Sequence, residues 1–316
     1  MGFYNLICSP FLRGFTQPLT EIAEERANTL INQFLSKLQE EFPKGIESAQ
    51  DPDMQIALFN AQKDYAKNGN NELASLLVDL LIQRTKMQDE ELKKIVLNES
   101  LLVAPKITNK QLNVLSLRFL ISMSRNHQIN NVDKFNEYLK NYIHPFCNEL
   151  AKELSDYQHI EYVGCGTVGV ISNHIYDYMK GNYAGVLSTG FELEKMKDIS
   201  LTPEQIQKII IPCLRNKNKV QVSAINDEAI EQIGSELKLS DELISQLKAV
   251  QNNNLITADD FKKMLTDLHS DFEKLYRTWE QSGLGRLQLT TVGIALAHAN
   301  IKKTINVDLD LGIWIK

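Results

Sequence analysis

The sequence predicts a mostly α protein. A helical N-terminal part, residues 1–155, joins a smaller α+β part, residues 156–316, which is partly winged-helix-like and ends in a strand–helix–strand unit. Three observations carry this prediction. Up to residue 155 apolar residues recur at three- and four-residue spacings, with capping residues between the runs. Beyond it, short β-like runs such as HIEYV, YAGVLS and GRLQLT break the helical pattern. Hydrophobic residues make up 43% and charged residues 23% of the 316 positions, the balance of a globular chain able to bury a core.

Taken in order, LTEIAEERANTLINQFLSKLQEEF (19–42) places Ile22, Ala23, Leu30, Phe34, Leu35 and Leu38 on one helical stripe, stopped by Pro43 and Gly45. In DPDMQIALFNAQKDYAKNG, Asp51 is the expected N-cap, Pro52 fits the first turn and Gly69 the C-terminal cap. NELASLLVDLLIQRTK (71–86) is apolar on most sides, which marks a central helix. DEELKKIVLNESLLVAPK runs helical to Pro105, and in TNKQLNVLSLRFLISM (108–123) Thr108 and Gln111 have capping-box spacing. NVDKFNEYLKNYIHPFCNELAKEL is periodic, with Pro145 as a kink point.

Past residue 156, HIEYV and YAGVLS read as strands around a short helix. LTPEQIQKIIIPCL opens a helix with Thr202 as cap and Pro203 at its first position, and KVQVSAI reads as a strand. NDEAIEQIGSEL, SDELISQLKAV and TADDFKKMLTDLHSDFEKLYRTWEQ read as acidic amphipathic helices. GRLQLT is expected as a strand, TTVGIALAHANIKK as a helix and TINVDLDLGIWIK as a final strand. There is no internal repeat and no Gly/Ser-rich linker.

The formal net charge is −6, and the densest basic stretch is only LRNKNKV (214–220). This argues against a nucleic-acid surface, which needs cationic contact with phosphate. Cys8, Cys147, Cys165 and Cys213 are scattered without zinc or redox spacing, so a reducing, cytoplasmic compartment is expected. No apolar run reaches the ~20 residues of a membrane helix. MGFYNLICSPF begins with Gly2 but has Leu6 where a myristoylation signal wants Ser or Thr, so docking on the protein itself is preferred to a membrane contact.

The most specific local motif is YVGCGTVGVIS, with Gly164, Gly166 and Gly169 in Gly-x-Gly-x-x-Gly order between a strand-like and a helix-like run. In a dinucleotide fold such glycines let the backbone approach pyrophosphate at a helix N-terminus. The acidic residue expected about 20 positions on is missing, since the next β-like run ends in Ser188, Thr189 and Gly190. A nucleotide-binding switch or an enzyme using the Gly164–Gly169 turn is therefore the alternative reading, and a Gly-rich packing turn the plain one. AVQNNNLITADDF imitates a calcium loop, but Ala249 stands at the first ligand position and Asn254 at the turn glycine. Asn252 to Asn254 are better read as a turn between helices, with Thr257 capping the next.

The six histidines are dispersed and form no His-x-x-x-His or Glu-x-x-His pair, so neither a metal nor a cofactor is expected. Cys165 with His174 and Asp177 could make an activated thiol, against a buried inert cysteine as the plain reading. Asp79, Arg84 and Glu99 lie in strongly apolar helices and are expected in partly buried ion pairs rather than as catalytic acids. In GRLQLTTVGIALAHAN, Leu289, Thr290 and Gly293 match the Leu-Thr-x-x-Gly that follows the wing in winged-helix proteins. Thr290 would cap the helix and Gly293 permit close packing. From 240 to 316 there are nine Lys/Arg and ten Asp/Glu, so this piece is expected to pack on protein, with a winged-helix transcription regulator as a further alternative.

The segment DPDMQIALFNAQKDYAKNGNNELASLLVDLLIQRTKMQDEELKKIVLNESLLVAPKITNKQLNVLSL (51–117) resembles an uncharacterised bacterial family bearing locus-tag names. HIEYVGCG (159–166), LTTVGIALAHANI (289–301) and DLDLGIWI (308–315) resemble it too, so the resemblance covers most of the chain. ELASLLVDLLIQRT, NESLLVAPKITNKQLNVLSL and the late Leu289, Thr290 and Gly293 are also loosely similar to the Abi-alpha proteins of abortive phage infection. The first family brings no known active site. The second similarity implies a bacterial antiphage or stress-response component without classical enzymatic residues, acting through a protein partner or self-association. The opening MGFYNLICSPFLRGF differs from the polar start of the family resembled.

Overall fold

The computed structural model describes residues 13–49, 51–87 and 91–315. The protein is mostly α with a minor β part. In chain order the helices are α1 (Arg13–Glu41), α2 (Gly45–Ser48), α3 (Pro52–Asn68), α4 (Asn71–Lys86), α5 (Glu91–Val103), α6 (Asn109–Ser122), α7 (Val132–Tyr138), α8 (Leu154–Tyr162), α9 (Ile175–Leu187), α10 (Pro203–Ile209), α11 (Asp227–Glu236), α12 (Asp241–Asn252), α13 (Ala258–Leu268), α14 (Asp271–Gln281) and α15 (Thr291–Ile305). Among the described residues, four three-residue strands, β1 (Gly166–Val168), β2 (Ile210–Pro212), β3 (Val220–Val222) and β4 (Leu287–Leu289), form two two-stranded sheets, β1 with β4 and β2 with β3. Among the described residues no helix is long and apolar enough to cross a membrane.

The chain divides into two compact units, each discontinuous in sequence. One comprises residues 1–115, 159–166 and 289–316, the other 116–158 and 167–288. The boundary expected near residue 156 falls inside the 116–158 segment. The texture of the sequence changes there, but segments distant along the chain complete each unit.

In the first unit α4 is the central helix, packed by α1, α3, α5 and α15. Twelve of its residues, from Leu73 to Thr85, are buried, as its all-round apolarity demands. Leu30, Phe34 and Leu38 of the α1 stripe are fully buried, whereas Ile22 and Leu35 sit at its exposed margins. Asp51 stands at the N-cap position of α3 with Pro52 after it, although its side chain makes no cap bond. Gly69 closes α3 in the left-handed region at φ 65°, and Thr108 and Gln111 exchange side-chain-to-backbone bonds at the start of α6, as the sequence places them.

Asp79 pairs with Lys37, and Arg84 pairs with Asp53 and bonds Asn98 at 3.0 Å, so both join partly buried polar networks as expected. Glu99 does not; it lies on the exposed face of α5, whose buried side carries Val96, Leu97, Ser100 and Leu101.

Two expected strands are absent from this unit. HIEYV lies in and just after α8, a helix begun by Asp156 accepting from the Lys152 and Glu153 amides at 3.2 and 3.1 Å. TINVDLDLGIWIK pairs with no described strand. Its alternating burial holds, but Asn306 at φ 54° caps α15, and the Leu309 amide donates to His298 Nε2 at 3.1 Å in place of a ladder bond.

In the second unit Phe191, Met196, Ile199, Ile209, Val222, Ala224, Ile230 and Leu247 form a core. β2 and β3 run antiparallel with Ile210 opposite Val222 and Pro212 opposite Val220. YAGVLS, expected as a strand, forms the last turn of α9 after a non-helical Tyr183, and only Ser188 makes a bridge, to Leu255. Gly185 explains the choice: its amide bonds Ile225 O at 2.9 Å, and its lack of a side chain admits the Ala224 carbonyl. The long acidic helix expected from 257 to 281 is broken at His269 and Ser270 into α13 and α14. Pro145 lies where α7 passes through a π-helical turn (Leu139–Ile143) into a 3-10 turn (His144–Phe146), the kink expected of it.

Candidate functional site

The glycine motif has the reverse polarity of a phosphate loop. Gly164, at φ 76°, ends α8. The Cys165 amide donates to Ile160 O and the Gly164 amide to Glu161 O, each at 3.0 Å, which is a Schellman closure. The turn therefore presents the carbonyl end of a helix, which repels phosphate. Gly166 opens β1, and Gly169 follows it, its amide donating to Arg286 O at 3.0 Å. α9 begins only at Ile175. A glycine after an apolar run was legible as a helix stop, but the Gly-x-Gly-x-x-Gly spacing concealed it.

Cys165 is fully buried, and burial pushes its thiol up to about 12. It is a packed residue rather than a nucleophile. Thr290 caps α15 as expected, accepting from the Gly293 amide at 3.1 Å, and its hydroxyl donates to Gly164 O at 2.6 Å. Gly293 permits close packing, but onto the Cys165 carbonyl rather than onto a wing hairpin. At the other decoy, Thr257 accepts from the Asp260 amide at 3.1 Å to cap α13, and Asn252 to Asn254 close α12, so the Asn-rich run is the expected turn between helices.

Within the second unit, the segment from Val170 to His174 is a loop exposed at every position, with Val170 95% and Ile171 81% exposed. It is nevertheless pinned. Gly169 is held by Arg286 as above, and Trp279 Nε1 donates to Asn173 O at 2.8 Å. Arg118 stacks over both Tyr178 and Trp279, 5.2 and 5.3 Å from the ring centroids, and donates to Tyr178 Oη at 3.0 Å and Gly285 O at 3.3 Å. His174 precedes α9. Its amide reaches Asp177 Oδ2 at 3.4 Å, and its Nδ1 lies 2.8 Å from Glu280 Oε2, which raises the imidazole above its ordinary value. His174 and Asp177 thus support a helix start and a surface ion pair.

The same unit contains a cluster that no sequence spacing announced. His144 follows the π-helical turn, while His269 and Asp271 flank the break between α13 and α14. His144 Nε2 is 3.3 Å and His269 Nδ1 3.5 Å from Asp271 Oδ2, and the two rings lie 3.9 Å apart between centroids. The other carboxylate oxygen, Oδ1, is held by Lys274 at 2.8 Å. Lys274, with help from His144, keeps Asp271 below the usual carboxylate range, so it is ionised at neutral pH. Sequence reading missed this trio because His144 and Asp271 stand 127 positions apart. The only local hint was His269-Ser-Asp271 at a helix break.

A family model with the description ":-like" matches residues 11–315. The chain belongs to that family. The match includes the segments 51–117, 159–166, 289–301 and 308–315 that carry the resemblance seen in the sequence. No curated protein and no solved structure matches the chain.

Proposed function

We propose that the protein is a non-enzymatic, cytoplasmic component of bacterial antiphage defence or stress response, working through protein–protein contacts. The observation that carries the contact role is the pinned loop displaying Val170 and Ile171. Two consecutive branched apolar side chains, on a loop braced by the buried Arg118 and Trp279 with the half-buried Tyr178, have no role in this chain's own core. A rigid apolar tip loses little conformational entropy on docking. The buried, unactivated Cys165 and the helix-ending polarity of the Gly164 turn favour this reading over an enzyme or a nucleotide switch. The defence setting rests on the loose similarity to Abi-alpha proteins.

The test is phage challenge of bacteria carrying the gene with its native neighbours, comparing the wild-type chain with V170S/I171S. Protection at low phage-to-cell ratio and culture collapse at high ratio, lost in the double variant at equal protein level, is the expected result. Absence of protection against a broad phage panel would remove the defence setting, and full protection by V170S/I171S would remove the loop from the contact.

A further inference from the structure

We propose that His144, His269 and Asp271 bind one divalent first-row transition cation of the zinc class, which fastens the α13–α14 break to the turn that follows α7. The donor set is two imidazoles and one carboxylate, the chemistry that selects zinc, cobalt or nickel over magnesium and calcium.

The distances fit an ion shared by the three side chains. A charge-assisted N–H···O bond closes to about 2.7–2.9 Å, and Lys274 makes such a bond to Asp271 Oδ1 at 2.8 Å. The two histidine nitrogens stop short of this, at 3.3 and 3.5 Å from Oδ2. Ligands about 2.1 Å from a tetrahedral centre stand about 3.4 Å from one another. The three donor atoms all lie within 4.8 Å of one another, so a single ion can reach them together.

The surroundings also suit a metal. The carboxylate divides its oxygens, with Oδ1 fixed by Lys274 and Oδ2 directed at both rings, the outer-sphere support that orients a ligating group. His144 is further oriented by Phe272, whose ring centroid lies 5.9 Å away and which is fully buried. The Asp271 amide now donates to His269 Nδ1 at 3.2 Å, a long bond that the metal would replace. Side-chain exposures of 30% for His144, 45% for His269 and 18% for Asp271 leave an entry path.

The experiment uses the untagged full chain, stripped with chelator and titrated with cobalt(II) and zinc(II). The expected result is one equivalent bound, visible cobalt d–d bands displaced by zinc, and a thermal midpoint raised by zinc but not by magnesium. His144→Gln and His269→Gln should each abolish the bands, Asp271→Asn should weaken binding by at least about tenfold, and His174→Gln, at a histidine outside the cluster, should bind as wild type. Circular dichroism of the metal-free variants checks their fold, and the exposed His269→Gln decides the matter if His144→Gln does not fold. No saturable binding, unchanged binding in His269→Gln, or a cobalt–thiolate charge-transfer band placing the ion on a cysteine would each overturn the proposal.

Discussion

Gly293 lies directly against the carbonyl of Cys165. A Cβ built on Gly293 would overlap that oxygen and stand 2.9 Å from the carbonyl carbon. Both neighbours are backbone, held by the Thr290 cap and the Schellman closure of α8, so neither can move aside cheaply. Gly293→Ala is therefore expected to cost about 1–3 kcal/mol by overpacking. Gly181, inside α9 with nothing within 4 Å of an added Cβ, is the control, and Gly181→Ala should add about 0.4–1 kcal/mol. Urea denaturation of the two variants checks the contrast, and equal effects would show that the α15 contact is looser than described.

Glu41 gathers three lysines of the first unit: Lys302 at 2.7 Å, Lys86 at 3.2 Å and Lys37 at 3.7 Å. Burial by itself would raise its carboxyl, but the hydrogen bonds from Lys302 and Lys86 outweigh burial and hold it below the ordinary value. A depressed carboxylate stabilises the fold above its unfolded value, about 4.3, and that share is lost as pH falls through the folded value. Glu41→Gln leaves Lys302, only 7% exposed, with Asp308 at 3.2 Å as its remaining carboxylate. The expected cost is about 1–2 kcal/mol at pH 7, reduced from a fully buried pair because Glu41 is partly solvated. Denaturation curves between pH 7 and 3 should show a shallower acid limb in the variant.

His298 is buried on α15 with its Nε2 against the Leu309 backbone. Burial lowers its pKa despite the Leu309 contact, so the folded protein keeps the ring neutral. The unfolded chain takes up the proton first, near pH 6.5. Stability should fall as pH drops below that value, a window above the one governed by Glu41. His298→Gln is expected to remove the slope just below pH 6.5 while leaving the more acidic limb in place.

The His174–Glu280 pair works in the opposite sense. The Glu280 hydrogen bond raises the imidazole, so the contribution is present below the unfolded value and lost as pH rises through the folded one. The pair is exposed, so the readout is the titration itself rather than stability. Proton NMR should place the His174 midpoint above 6.5, and Glu280→Gln should return it toward the ordinary value. An unchanged midpoint would show that the pair does not form in solution.

Much of the helical part was legible because its signals are local. The Asp51-Pro52 start, the Gly69 stop, the Thr108–Gln111 box and the apolar run of α4 each lie within a few residues of one another. HIEYV and YAGVLS were misread for the same reason: five or six residues fit both periods, and the deciding partners are remote. Cys165 and Gly293 meet only once α15 returns to α8, and Gly185 is claimed by Ala224 and Ile225.

The sequence by itself determined the mostly α class, most helix boundaries and caps, and membership of the family matched over residues 11–315. Spacing and capping chemistry are encoded within single turns of chain. Only the tertiary structure decided that the Gly164 turn closes a helix, that Val170 and Ile171 stand out in water on a braced loop, and that His144 meets His269 and Asp271. The braced loop and the histidine–aspartate trio depend on residues more than 100 positions apart being brought within a few ångströms, which the burial of the core arranges and local spacing does not encode, whereas the Gly164 turn closes through local bonds and is fixed from afar only by the Thr290 hydroxyl.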